Sequence, residues 1–112
     1  MKKLLVTFSL LSLALLAQTP TGDAQNGKRL FQRNGCYQCH GWGGQGGAAG
    51  ARLAQFKLSQ VAFMAYVRNP APGGMPPYRA KIMSDQELAD VYAYIKSFPE
   101  PPPVSSIPLL NQ

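Results

Sequence analysis

The chain has 112 residues, with 11 Lys and Arg against 5 Asp and Glu, one His, two Cys, 11 Gly and 10 Pro. That length allows a single domain, and two cysteines allow at most one disulfide, which excludes a multidomain enzyme, a zinc-finger array and a disulfide-rich scaffold. The charge is basic, but a domain this small buries only about 60% of its unfolded surface, so something besides side chains is expected to fill the core.

Lys2 and Lys3 lead into Leu4–Ala17, a largely apolar stretch of 14 residues that ends in small Ala17 before polar Gln18. A basic start, a short apolar run and a small residue at the cut are the layout of a secretory signal peptide over residues 1–17. The run falls short of the ~20 residues that span a bilayer as a helix. No Cys stands at the cut to carry a lipid. The mature chain is therefore expected to lack a transmembrane anchor and to be periplasmic. Its 95 residues carry nine basic and five acidic side chains, a net +4.

Three stretches read as helices. From about Asp23 to Asn34, Ala24, Gly27, Leu30 and Phe31 share one face, and Gly35 is a stop. From about Ser59 to Arg68, Ser59 caps, Val61, Phe63, Met64 and Val67 supply apolar bulk, and Asn69-Pro70 ends the run. Ser84 and Glu87 then form a capping box ahead of the stripe Leu88, Val91, Ile95 and Phe98, stopped by Pro99. Between them, residues 41–51 hold six glycines and residues 70–77 read Pro-Ala-Pro-Gly-Gly-Met-Pro-Pro. Loops of that length commonly carry function. No stretch shows strand alternation, so the fold class is all-α. The domain is expected over residues 18–99, with a Pro-rich, extended or disordered tail over 100–112.

Cys36-Tyr37-Gln38-Cys39-His40 is the C-x-x-C-H signature of covalent haem c attachment. Two thiols tether the porphyrin as thioethers, and the tethers leave the adjacent imidazole little freedom except to reach the iron. Other uses of the pair fit poorly. Structural zinc wants four ligands, and Cys36, Cys39 and His40 are all the Cys and His present. A thioredoxin-like dithiol expects a βαβ setting, and a disulfide closing so short a loop adds little stability. The single histidine also precludes bis-histidine ligation within the chain. Met64, Met75 and Met83, with a lysine as outsider, are the candidates for the sixth ligand. Met64 lies mid-helix and Met83 beside a cap, where packing is the ordinary role. Met75 stands between Gly73-Gly74 and Pro76-Pro77 on a loop able to approach a flat ring.

With these residues in view, the chain resembles the class I c-type cytochromes, small monohaem proteins, over residues 22–98. The resemblance rests on Gly27-x-x-x-Phe31 before the haem signature, on Met75-Pro76, and on Leu88-Ala-Asp-Val-Tyr-Ala-Tyr94-Ile-Lys. It implies three main helices around one covalent haem c. The first and last helices would cross closely at Gly27, with Phe31 and Tyr94 or Val91 around the crossing, and His40 and Met75 would bind the iron. The family often places a proline after the glycine-rich loop, whose carbonyl accepts from the axial histidine. Here Ala51 takes that place, and Leu53 would pack on the haem. Trp42, Tyr78, Arg52 and Arg79 are candidate partners for the propionates.

The expected function is one-electron transfer by an exported His/Met-ligated haem c, serving a dehydrogenase or respiratory partner, and not enzymatic. A subunit fixed in a larger extracytoplasmic oxidoreductase is the alternative. A five-coordinate haem sensor or enzyme would instead leave Met75 off the iron. Lys28, Arg29, Arg33, Arg68, Arg79 and Lys81 are expected to steer the domain to an acidic redox partner. Two propionates would reduce the +4 to about +2, making that field modest. Nucleic acid is not an expected partner.

Overall fold

The computed structural model describes residues 19–112; the leader read at residues 1–17 lies outside them. Four α-helices follow in order: α1 (Ala24–Arg33), α2 (Cys36–His40), α3 (Gln60–Arg68) and α4 (Asp85–Lys96). Among the described residues there is no strand; Gly47 and Gly50 pair in an isolated bridge. The three longer helices lie where capping and periodicity put them. The Asp23 carboxylate accepts from the N–H groups of Gln25 and Asn26, Ser59 accepts from Ala62, and Ser84 and Glu87 form the full capping box. The helix not foreseen is α2, a single turn holding the haem signature. Gly35, in the left-handed region at φ 71°, turns the chain from α1 into it.

The first and last helices make the most extensive helix–helix contact. Their backbones approach until a Cβ added at Gly27 would lie 1.9 Å from the Asp90 carbonyl oxygen, and just before α1 one at Gly22 would lie 2.0 Å from that of Ala89. Any larger residue would hold the helices apart. Asp90 is buried at the crossing, 3% exposed. Its carboxylate accepts from the Asp23 N–H at 2.8 Å, from Asn26 Nδ2 at 2.7 Å and from Gln86 Nε2 at 2.9 Å. A buried charge is tolerated when its lone pairs are so occupied. Sequence reading passed over this residue.

α4 is the spine of the domain because it presents aromatics on two sides. Tyr94 and Phe98 meet Phe31 of α1 edge-on, with ring centroids 5.4 and 5.8 Å away. Tyr92 meets Phe56 and Phe63 at 5.8 and 5.5 Å, joining α3 and the preceding segment. The predicted stripe of Leu88, Val91, Ile95 and Phe98 is buried throughout. On α3 only Phe63 and Val67 are buried, whereas Val61 is 62% exposed. The glycine-rich loop closes on itself, the Gly44 carbonyl accepting from both Leu53 and Ala54 at 2.8 and 2.9 Å. The tail winds into two 3₁₀ turns, Val104–Ser106 and Pro108–Leu110, with Val104, Leu109 and Leu110 exposed.

Candidate haem site

The helices and the two long loops enclose an apolar cavity of about 390 Å³. Phe31, Leu88, Val91 and Ile95 wall it from α1 and α4, Phe63 and Val67 from α3, and Leu53 and Phe56 from the connecting segment. Three chemically distinct donors open onto it: Cys36 and Cys39, the His40 imidazole, and the Met75 thioether from the Pro-rich loop. Residues 39 positions apart in sequence thus share one pocket, of a size usual for a cofactor or ligand site.

His40 is oriented by a backbone contact. Its Nδ1 lies 2.6 Å from the Ala51 carbonyl oxygen. A carbonyl only accepts, so Nδ1 carries the proton and Nε2 keeps the lone pair that a metal needs. Ala51 therefore supplies the acceptor that a proline carbonyl supplies elsewhere in the resembling family. Cys36 is half-buried and Cys39 exposed. Burial pushes the Cys36 thiol up to about 11, only partly countered by a backbone hydrogen bond. A redox dithiol works through a lowered thiol pKa, so this environment fits an apolar cofactor better than thiol exchange. Among the described residues no three His, Cys, Asp or Glu side chains converge as a metal cage. The wall and the donor set fit a haem: an apolar slot, two thiols for the vinyl groups, and an imidazole and a thioether for the iron.

The methionines separate by position. Met83 also lines the cavity but is 2% exposed within the core, whereas Met75 is half-buried on its loop. Met64 is not among the lining residues and lies beside Gln60, whose Nε2 is 4.0 Å from its sulfur. Of the four propionate candidates, Arg52 and Tyr78 line the cavity, and Arg79 and Trp42 do not. Arg52 Nε donates to the Ala54 carbonyl at 3.1 Å. The Tyr78 hydroxyl, kept protonated by burial and by the nearby cysteines, donates to the Asn34 carbonyl at 3.0 Å and so is already committed to the backbone. Trp42 is 58% exposed and stacks on Tyr37, centroids 3.9 Å apart.

The basic side chains also divide. Arg33 pairs with Glu87 at 3.1 Å. Arg68 is not a surface cation: its side chain is 16% exposed, and it donates to Asp85 at 2.6 Å and to the carbonyls of Tyr78 and Met83. Sequence reading placed Arg68 in a steering field. Its position in the last turn of α3, against Asn69-Pro70 and a loop poor in donors, was the available sign of a structural role.

No curated protein and no solved structure matched the chain. Residues 22–95, about two thirds of its length, match the family model described as cytochrome C oxidase, cbb3-type, subunit III. The chain belongs to that family, a c-type cytochrome domain that binds covalent haem c and works in electron transfer.

Proposed function

We propose that the protein is an exported one-electron carrier whose haem c is tethered by Cys36 and Cys39 and ligated by His40 and Met75. The observation that carries this reading is the Nδ1 contact of His40 with Ala51, which frees Nε2 beside the two thiols in a cavity that Met75 also lines. Haem bound there supplies a reversible one-electron change at iron. Each side chain then has a task. The cysteines would tether the haem, Ala51 holds the imidazole in one tautomer, and Met75 would supply the second ligand to iron and so keep exogenous ligands off it. A thioether ligand and an apolar wall both raise the potential, the wall because it disfavours the extra positive charge of ferric iron. Residues 1–17 support export to the periplasm. With Arg33 and Arg68 engaged and Arg29 held on Asn26, Lys28, Arg79 and Lys81 are the cations of that set left to favour an acidic redox partner.

The visible spectrum of the haem-loaded protein tests the reading. A sharp reduced α-band, together with the far-red sulfur-to-iron charge-transfer band of the ferric state, is expected. A high-spin ferric spectrum without that band, and carbon monoxide binding on reduction, would reject Met75 ligation and point to an open site. The matched family's description favours a second reading, a subunit held within a larger oxidoreductase. Stable co-purification with a partner, rather than salt-sensitive association, separates it from a free carrier.

A further inference from the structure

Residues 70–77, which carry Met75, make no hydrogen bond to any described residue. Four of the eight are prolines, so the segment is stiff in φ yet has no bond of its own to fix where it lies. Met75 packs against the core, and hydrogen bonds restrain the segment only at its ends. At the entrance, the Asn69 N–H donates to the carbonyls of Ala65 and Tyr66, closing α3. At the exit, the Tyr78 N–H returns to the Val67 carbonyl at 3.0 Å. Arg68 gathers the rest: Nη1 donates to the Tyr78 carbonyl at 2.8 Å and to the Met83 carbonyl at 2.5 Å, and Nη2 to Asp85 at 2.6 Å. The Tyr78 hydroxyl ties the same exit to Asn34, two residues before Cys36.

We propose that Arg68 is the positioning residue for Met75. Its guanidinium closes the exit of the ligand loop and thereby sets how readily the Met75 sulfur leaves the iron. This rests on Met75 being the sixth ligand. Charge-assisted bonds from a largely buried guanidinium to two carbonyls restrain far more than an exposed ion pair. Asp85, whose side chain is 72% exposed, is the dispensable partner. Ligation and loop closure are linked equilibria, so a loosened exit lowers the population in which sulfur is bound and lets an external ligand compete.

The test uses the ferric haem-loaded protein, titrated with imidazole while the sulfur-to-iron band is followed, alongside thermal unfolding by far-ultraviolet circular dichroism. Arg68→Met is expected to bind imidazole at least about tenfold more tightly and to lose the band well below the temperature at which its helices melt. Arg68→Lys, which keeps the charge but not the fork, should fall between. Asp85→Asn should stay within about threefold of the parent. An Arg68→Met affinity within about threefold of the parent, with a lowered melting temperature, would overturn the proposal by showing a purely structural role. If Arg68→Met does not fold, Arg68→Lys carries the test, and parental imidazole affinity there overturns it. Absence of the sulfur-to-iron band in the parent protein would instead refute Met75 ligation itself.

Discussion

Gly27→Ala probes the contact on which the whole fold depends. The new Cβ would stand 1.9 Å from the Asp90 carbonyl oxygen, 2.5 Å from its carbon and 2.9 Å from Tyr94 Cβ. Two of these atoms are backbone, so no rotamer change relieves the clash. Ordinary contact begins near 3.4 Å, and α1 and α4 would have to part by roughly 1.5 Å along that line. A gap of about 0.5–1 Å already forfeits a quarter to a half of a contact's attraction, and Phe31, Tyr94 and Phe98 all span the interface. Overpacking of this kind costs about 1–3 kcal/mol and occasionally more. Replacing a helical glycine returns roughly 1 kcal/mol of propensity. Because the obstruction is main chain at the largest interface, a gross cost just above that range, about 3–4 kcal/mol, is expected, leaving a net loss of about 2–3 kcal/mol and lowering the melting temperature by roughly 10–20 °C. Guanidinium and thermal unfolding of the haem-loaded protein measure it. Gly47→Ala is the control, since its Cβ would meet nothing within 4 Å, and should change stability by less than about 0.5 kcal/mol. A Gly27→Ala protein as stable as that control would refute the tight crossing of α1 and α4.

Met75→Ala should lower the reduction potential and convert the ferric spectrum to high spin, whereas Met64→Ala should leave both unchanged; potentiometry and electron paramagnetic resonance distinguish them. Cys39→Ala should leave at most one thioether, seen as a red-shifted pyridine haemochrome band and by mass after denaturing extraction. Asp90 gives an acid limb. Burial alone would raise its carboxyl, but hydrogen bonds from Asp23, Asn26 and Gln86, with the charge of Arg29, hold it below its ordinary value of 3.8. Its stabilising effect is therefore complete above about pH 4 and is lost as pH falls through the native value. Asp90→Asn should cost about 1.5–3 kcal/mol at neutral pH and flatten the loss of stability below about pH 4.

Local chemistry was the legible part of this chain. Ser59 and Ser84 announce their helices because a cap is a short-range hydrogen bond written within four residues. The Leu88, Val91, Ile95 and Phe98 stripe is legible for the same reason, as periodicity is a property of one helix. Cys36, Cys39, His40 and Met75, which line the cavity, stood out in the sequence because each has distinctive chemistry. What escaped depends on meetings between distant segments. Arg68 read as one cation among several until Tyr78 and Met83 turned out to lie against it. Asp90 sat unremarked in a family-like phrase, its partners being Asp23 and Asn26 more than sixty residues earlier. The α2 turn was hidden because five residues show no periodicity.

The docking of α1 on α4 also dictates an order of events. A chain is synthesised from its N-terminus, so the face of α1 formed by Gly27, Leu30 and Phe31 has nothing to bury against until residues 85–98 exist. Closing that interval costs loop entropy that only the finished contact repays. The contact that repays this entropy is also the one that walls the cavity, since Leu88, Val91 and Ile95 of α4 line it.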